Sequence, residues 1–493
     1  MSSMVVNGNS KEMLKESVFR DTKDIPVLAG QKVLGVTAKS KITAVETLDG
    51  EVRANVKTEF SVVKTDGQEI FTEKTESESQ RTIAAEGLTA TDKACLTARV
   101  TECEKIGSEP VKVRATVEVG GWFVKKKEIR LLDATTEGLK CKTEKVTIEN
   151  VTTLSENVTT LTFSDEARMP VAKVLDYDCC VTVDAVYPSN GSYRADGELT
   201  IRMVAVADNG SIFTQSFSHP INVENAEEFL TESMRLEAEG SVKNAEYSVT
   251  ESDKRIVVSD VTVKITGVML EEKETESVKD VYSLQNRIET EEEKAKVNSR
   301  FCLRSVREKA AATVSVSGGI REALCVLSPC VSASGRVSED GIVVEGVIGA
   351  TVLYSDENGE TRTLSGEVPF VSNVGGDYPC ETVFTPDVMI TAINARPRGS
   401  GDVEITAELL VTVRGAQEKE ITVISDVKVG EGKEPDDYTI CVYVVKKGET
   451  LWDVAKELNA DEEELIAQNA DVTLPLKGGE KILLYKGKEE EIE

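Results

Sequence analysis

The chain contains a single histidine, His219, which limits the acid–base chemistry that its 493 residues can perform. Histidine is the usual base beside a serine or cysteine nucleophile, so any such pair would have to include His219. This residue stands in Phe217-Ser-His219-Pro220, within a stretch that reads as β structure, where we expect a structural or surface role. The patterns G-x-x-x-x-G-K-[ST], G-x-S-x-G and H-E-x-x-H are absent, as is G-x-G-x-x-G opening a helix. The sequence therefore predicts a protein that is not an enzyme. An unfamiliar active site in β structure is the alternative, although no carboxylate pair stands out among 87 acidic residues.

The ten cysteines are scattered, and none forms a C-x-x-C pair. A zinc site built from cysteine and histidine needs such closely spaced ligands, so we expect neither a metal nor a cofactor. Reduced, buried thiols are the expected state, although Cys325 and Cys330 could pair in an oxidising compartment. The cysteines are Cys95, Cys103, Cys141, Cys179, Cys180, Cys302, Cys325, Cys330, Cys380 and Cys441.

The formal charge is −29, from 58 Lys and Arg against 87 Asp and Glu. This charge repels nucleic acid and anionic lipid, so we expect neither as a partner. The first ten residues lack a basic segment followed by an apolar run, and no stretch approaches the roughly 20 apolar residues of a membrane span. We therefore expect a cytoplasmic protein without membrane insertion.

The C-terminal region combines two short strands with two short helical patterns. Thr450 and Asp453 have the spacing of a helix cap, and Asp461 with Glu464 predicts the start of a second helix. A turn at Gly448 links the first strand to the first helix. Two alternating apolar segments predict paired strands, with Val442 and Val444 beside Ile482 and Leu484.

This pattern resembles a LysM module, a small βααβ domain that binds N-acetylglucosamine-containing glycans in cell walls. The match covers about 45 residues, and the motifs that carry it are Gly448-x-Thr450-Leu451, Ala455 and Leu465-x-x-x-Asn469. The resemblance implies a shallow groove between the strand-to-helix turn and the helix-to-strand loop. The residues that would line it are Gly448, Glu449, Thr450, Leu451 and Trp452 on one side and Asp471, Leu474, Pro475 and Leu476 on the other.

Two readings of this groove remain open, because several of these residues also have structural explanations. Thr450 caps any helix that begins there, Leu451 can belong to the core, and Asn469 can anchor the loop through hydrogen bonds. Glu449 replaces the Asp that usually follows the turn glycine, and Leu484-Tyr485 replaces the usual closing Ile-Pro. The module is also acidic, and peptidoglycan carries carboxylates. A protein partner therefore suits the groove at least as well as a glycan.

The rest of the chain contains a repeat marked by pairs of Asx-Gly dipeptides. They are Asp49-Gly50 with Asp66-Gly67, Asn190-Gly191 with Asn209-Gly210, and Asp340-Gly341 with Asn358-Gly359. Asx-Gly favours the tight turn of a β-hairpin, and the sequence between the two turns of each pair alternates between apolar and polar residues. Each pair therefore predicts a three-stranded meander around a central strand. Asp196-Gly197, inside the second pair, could mark a β-bulge.

A second alternating block follows each pair, at 111–119, 257–265 and 403–413. Because each set of strands must cover one apolar face, the two sets are expected to pack on each other. The predicted fold is mainly β, with three tandem β-sandwich or barrel-like repeats followed by a small βααβ domain.

The patterns divide the chain into nine segments. They are an N-terminal segment (1–22) with a weakly helical pattern at 11–21, a first β repeat (23–135), a connection (136–166), a second β repeat (167–282), a charged connection (283–309) read as a short helix or linker, a third β repeat (310–428), a linker (429–437), the LysM-like domain (438–487) and an acidic tail (488–493).

Three β repeats followed by one LysM-like module resemble the SPOCS-domain spore coat proteins of endospore-forming clostridia, a SipL-like family. The resemblance rests on this architecture and on the third repeat, through Val343-Val-Glu-Gly346, Val352-Leu-Tyr354 and Pro369-Phe370. It implies an assembly scaffold in the mother-cell cytoplasm at the forespore surface. There its LysM-like module would bind a morphogenetic ATPase of the coat basement layer. Peptidoglycan or another N-acetylglucosamine glycan is the alternative partner.

Overall fold

A computed structural model describes residues 3–107, 110–376, 382–399, 401–434 and 440–486. The described residues form twenty-one strands and two short helices, which confirms a mainly β fold. The acidic tail at 488–493 and the end of the expected linker, 435–437, lie outside them. Neither helix is long and apolar enough to cross a membrane, and the described residues contain no other helix.

Three units with the same strand plan make up the β body. Unit 1 contains β1 (Ser3–Ile25), β2 (Lys32–Leu48), β3 (Glu51–Thr65), β4 (Ile70–Ala84), β5 (Ala94–Ile106) and β6 (Val111–Leu132). Unit 2 contains β7 (Lys140–Thr153), β8 (Asn157–Glu166), β9 (Val171–Ser189), β10 (Ser192–Ala207), β11 (Ile212–Ala226), β12 (Arg235–Val249) and β13 (Ile256–Tyr282). Unit 3 contains β14 (Asn286–Ser315), β15 (Glu322–Ser338), β16 (Gly341–Ser355), β17 (Thr361–Gly375), β18 (Thr382–Arg398) and β19 (Asp402–Gly432).

The predicted meanders are confirmed in all three units. The sheets have the orders β2-β3-β4, β9-β10-β11 and β15-β16-β17, and each central strand runs between the two Asx-Gly turns of one pair. The glycines of these turns have positive φ, for example +79° at Gly50 and +81° at Gly191, which glycine adopts without steric cost. The register between β10 and β9 shifts at Asp196/Gly197, as expected for a bulge.

A second sheet covers each meander. The orders are β1-β6-β5 in unit 1, β12-β13-β7 with β8 also on β13 in unit 2, and β14-β19-β18 in unit 3. The alternating valines of the closing strands β6, β13 and β19 face the meanders and are fully buried. Each such side chain stabilises its sandwich by about 1.5–3 kcal/mol. The two sheets of each unit therefore enclose one hydrophobic core.

The opening and closing strands of each unit continue beyond the sandwich as a two-stranded ribbon. The ribbons are 3–11 with 124–132, 140–150 with 271–282, and 286–298 with 418–432. A single hairpin is marginally stable in water. The three ribbons pack together through Val6 and Leu131 of the first, Ile148 of the second, and Ile421 and Val423 of the third. We call this bundle the stalk.

At the other side of the sandwiches the three meanders meet in a shared apolar cluster. Each unit contributes buried side chains: Leu34 and Val63 from unit 1; Leu175, Val204 and Ile212 from unit 2; and Cys325, Leu327 and Leu353 from unit 3. All three units thus meet in this apolar cluster as well as in the stalk.

Three segments differ from their predicted structure. Residues 11–21, which have a weakly helical pattern, belong to β1, and 286–309 of the charged connection belong to β14. Both strands pair along their length with the closing strand of their own unit. Backbone pairing of this kind does not depend on a strong side-chain pattern in the opening strand. Residues 429–432 of the expected linker likewise continue β19.

The cysteines are mostly half-buried rather than buried. The eight cysteines whose side chains the structure describes are free, among them Cys325 and Cys330. Burial raises the pKa of both thiols to about 12. The remaining two, Cys302 and Cys380, lie outside the described side chains.

A buried ion pair joins the three units near the shared apolar cluster. Arg202 Nη2 donates to Asp176 Oδ2 at 2.6 Å, and Nη1 donates to the Val326 carbonyl of unit 3 at 3.1 Å. Lys39 Nζ of unit 1 lies 3.7 Å from Asp176 Oδ1. Burial alone would raise the pKa of Asp176, but Lys39 and Arg202 outweigh it and hold the pKa below its ordinary value.

Replacing Arg202 by methionine should destabilise the β body by about 3 kcal/mol, because it leaves the Asp176 carboxylate buried with one cation fewer. Urea unfolding followed by circular dichroism should give a lower midpoint. Lys309→Met is the control, since Lys309 is 83% exposed where it pairs with Glu408 and should leave the midpoint unchanged. Equal midpoints for both variants would contradict a role for this buried pair.

Candidate ligand groove of the terminal module

The terminal module consists of β20 (Ile440–Val444), α1 (Leu451–Glu457), α2 (Glu462–Gln468) and β21 (Lys481–Tyr485). Its core contains Val454, Ala455, Leu465, Ile482 and Leu484. In a helix of seven residues, most backbone N–H and C=O groups lie in the first or last turn and have no partner within the helix. Capping side chains are therefore needed to bond them. These caps determine where the groove residues stand.

The predicted helix caps are confirmed. Thr450 caps α1 in a capping box: its amide donates to Asp453 Oδ2 at 2.7 Å, and the Asp453 amide donates to Thr450 Oγ1 at 3.4 Å. Asp461 caps α2 and accepts from the Glu463 amide at 2.9 Å. The hydrogen bonds from Thr450 hold the pKa of Asp453 below its ordinary value, so the cap stays charged at neutral pH.

Asn469 is an anchoring residue, as the sequence suggested, but its side chain holds the second strand rather than the loop. Its Nδ2 donates to the carbonyls of Leu465 at 2.8 Å and Leu483 at 2.6 Å, and its Oδ1 accepts from the Leu483 amide at 2.7 Å. The strand register differs from the prediction, because Tyr443 pairs with Ile482 and Cys441 with Leu484. Val442 and Val444 therefore face outward and are exposed.

The structure brings five of the nine expected groove residues to one open groove, namely Thr450, Leu451, Trp452, Leu474 and Pro475. Leu474 is 53% exposed, and the Leu474–Pro475 bond is cis. Four further residues line the same groove: Lys142, Glu462, Glu463 and Ile466. The groove is therefore apolar at its base with acidic residues along α2 and one lysine.

The other four expected residues lie outside this groove. Gly448 has a φ of +92° and forms the turn, and the Glu449 carboxylate accepts from the Lys446 amide at 2.7 Å and from the Tyr443 hydroxyl at 3.0 Å. The Lys446 amide in particular holds the pKa of Glu449 below its ordinary value. Asp471 is exposed, and Leu476 packs against the module core.

Trp452 is mainly a packing residue. It is only 6% exposed, and the edge of its ring contacts Tyr282 of the stalk with the centroids 4.9 Å apart. Its indole Nε1 donates to Asp280 Oδ2 at 2.8 Å. Trp452 therefore borders the groove, as the sequence suggested, while most of its ring packs against the stalk.

Several polar contacts fix the module to the end of the stalk. Lys456 Nζ donates to Asp280 Oδ1 at 2.6 Å, and Asn459 Nδ2 donates to the Leu284 carbonyl at 2.8 Å. The Tyr282 hydroxyl donates to the Ala460 carbonyl at 2.8 Å, and Lys140 of β7 forms an ion pair with Asp461. The module and the second ribbon thus form one packed body.

The contact between the terminal module and the second ribbon also completes the groove. Lys142 follows Lys140 on β7, and its Nζ lies 6.0 Å from the centre of the Trp452 ring. Burial raises the pKa of the Glu462 carboxyl, and the nearby Lys142 partly opposes this shift. Lys142 was missed from the sequence because nothing in its surroundings connects it to the terminal module. Ile466 could have been found, since it is an apolar residue on the outer side of a capped helix.

The comparisons with known proteins agree with this geometry. The LysM domain family matches residues 443–475. The terminal module is a LysM domain. No curated protein and no solved structure matches the chain at a significant level. The LysM match begins in β20 and ends at Pro475, so it includes both sides of the groove.

His219, the single histidine of the chain, lies in unit 2. Its Nε2 is 2.9 Å from Asp165 Oδ2, and its ring stacks on Phe163 with the centroids 4.0 Å apart. Among the described residues, no group of three or more histidine, cysteine or acidic side chains is arranged to hold a metal ion.

Asp280→Ala should loosen the LysM domain from the stalk, because it removes the acceptor shared by Trp452 and Lys456. Hydrogen exchange across α1 should accelerate, and trypsin should release a C-terminal fragment sooner. Glu274→Ala is the control, since Glu274 pairs with Lys145 on the exposed surface of the same ribbon. Equal protection of α1 in both variants would show that Asp280 does not hold the domain.

The contact at Asp280 should also depend on pH. Burial alone would raise the pKa of Asp280, but hydrogen bonds from Lys456, Trp452 and the Val281 amide lower it below the usual 3.8. The stabilisation is therefore complete above pH 3.8 and is lost as the pH falls through the lower folded value. Tryptophan fluorescence should report this transition below pH 3.8, and Asp280→Ala should abolish it.

Proposed function

We propose that this protein is a non-enzymatic binding protein whose LysM groove holds an N-acetylglucosamine-containing glycan such as peptidoglycan. One observation carries the proposal: the residues that the LysM family match spans fold into a single groove containing Thr450, Leu451, Leu474 and Pro475. Sugar rings have apolar faces, and small apolar side chains in a shallow groove provide a fitting contact.

The charges of the groove favour an uncharged part of the ligand. Glu462 and Glu463 stand along one wall, and Lys142 is the only cation among the residues that line it. An acetamido sugar carries no charge and can accept hydrogen bonds from lysine and from the backbone. The glycan strand, rather than the acidic peptide stems of peptidoglycan, is therefore the proposed ligand.

A second candidate function is an assembly scaffold of the spore coat, as the resemblance to SPOCS-domain proteins implies. In this proposal the LysM domain binds a morphogenetic ATPase of the coat basement layer, and the protein acts in the mother-cell cytoplasm at the forespore surface. The acidic wall formed by Glu462 and Glu463 favours it, since that wall suits a protein with basic side chains at least as well as a sugar. The three units would then serve as spacer and as further contact surface.

Replacing Leu474 by serine should weaken glycan binding by about tenfold, because it removes an exposed apolar contact without disturbing the core. The measurement is retention on purified peptidoglycan and, in parallel, titration with chitin oligosaccharides. Leu28→Ser is the matched control, since Leu28 is a leucine 68% exposed on unit 1.

The same experiment separates the two candidate functions. Saturable retention of the unaltered chain, weakened by Leu474→Ser alone, supports glycan binding. If neither peptidoglycan nor chitin oligosaccharides bind, glycan recognition is wrong and the scaffold proposal stands. In that case deletion of 438–493 should abolish recruitment to the forespore, and a truncated protein that still localises there contradicts it.

A further inference from the structure

The hairpin β20–β21 has two edges, and the described residues close only one of them. On β21, the amide of Tyr485 donates to Gln468 Oε1 at 2.6 Å and its carbonyl accepts from Gln468 Nε2 at 3.0 Å. Asn469 satisfies the amide and carbonyl of Leu483 in the same way. Two side chains of α2 and the loop after it therefore replace a neighbouring strand along this edge.

The edge of β20 has no such cover within the described residues. Antiparallel strands alternate between residues that bond to their partner and residues whose backbone points away from it. Val445 bonds across the hairpin, since its amide donates to the Glu480 carbonyl at 2.9 Å. Tyr443 and Cys441 therefore also bond inward, and the amides and carbonyls of Ile440, Val442 and Val444 point to the free side.

The side chains of this edge are as exposed as its backbone. Ile440, Val442 and Val444 are each more than half exposed, and Leu483 and Tyr485 extend the same apolar face across β21. Exposed β-branched residues beside unpaired backbone groups are a template for another strand, and proteins usually protect such edges. In the part of the chain that the structure describes, β21 is protected and β20 is not.

The charge at one end of this edge is opposite to that of the whole chain. Lys446 and Lys447 follow β20 after Val445, and Lys481 pairs opposite Val444, so three exposed lysines border this end of the edge, with Glu480 next to Lys481, in a chain of net charge −29. Lys446 contacts Glu449 at 3.4 Å, whereas no ion pair of Lys447 or Lys481 occurs in the described part of the chain. This corner attracts an acidic segment.

We propose that β20 is a docking edge for an extended, apolar segment of another protein that carries acidic residues at one end. The segment would add a third strand to the hairpin and place its acidic residues against the lysine corner. This site is separate from the groove, which lies between α1, α2 and the loop at Leu474. The proposal is therefore independent of glycan binding.

A labelled synthetic peptide tests the docking edge on the full chain. Its central run alternates valine and threonine and one end carries glutamates; a second peptide carries lysines at that end instead. Fluorescence polarisation should show saturable binding of the acidic peptide and at least about tenfold weaker binding of the basic one. Hydrogen exchange should slow in β20 when the acidic peptide is bound.

Two sets of variants locate the site. Val442→Pro removes an amide that the hairpin does not use and should weaken peptide binding by about tenfold, whereas Val442→Thr keeps that amide and should bind normally. Lys447→Glu combined with Lys481→Glu should weaken binding without affecting the fold, since both side chains are exposed. Leu474→Ser should leave peptide binding unchanged.

Three outcomes would overturn the proposal: equal binding of both peptides, no binding of either, or binding that Val442→Pro and the lysine reversals leave unchanged. Sedimentation that shows self-association of the chain lost in Val442→Pro would also overturn it, because the occupant of the edge would then be a second copy.

Discussion

The whole structure depends on three closing strands, each of which belongs both to a sandwich and to the stalk. β6, β13 and β19 lie at the centre of a sheet in the sandwich and then continue into the stalk, so the same backbone connects both parts. In the sandwich their valines face the meander and are shielded from water. Beyond it they have only one partner strand, and a lone ribbon is marginally stable. The ribbons are therefore ordered because three of them share one apolar centre.

Contacts between the units place charges of different units close together, so that arginines of one unit pair with carboxylates of another. Arg414 of unit 3 donates to Glu239 of unit 2 at 2.5 Å and to Asp387 of its own unit at 3.1 Å. Arg99 of unit 1 donates to Glu118 at 2.6 Å and reaches Asp387 at 3.5 Å. Burial would raise the pKa of Asp387, but the two arginines hold it below its ordinary value. Such pairs fix the positions of the units more than they stabilise them, since desolvation offsets most of the attraction.

The features that could be predicted from the sequence are those determined by neighbouring residues. Asx-Gly turns predicted the meanders, alternating valines predicted the closing strands, and Thr450 and Asp461 predicted the helix caps. The opening strands β1 and β14 were missed because their partners lie about a hundred residues away in the sequence. The burial of Trp452 was not predicted because it depends on Tyr282 and Asp280, which no local pattern connects to it. Lys142 was missed for the same reason.

The LysM domain is packed against the stalk and is not joined to the β body by a flexible tether alone. Asp280, Tyr282 and Lys140 hold it against the second ribbon, and Lys142 from that ribbon borders its groove. An isolated domain would expose Trp452 and lose Lys142 from the groove, so its affinity need not equal that of the full chain. Because the stalk is packed to the three units, the direction in which the groove opens is set by the β body. A partner bound there would be held in one orientation relative to the β body.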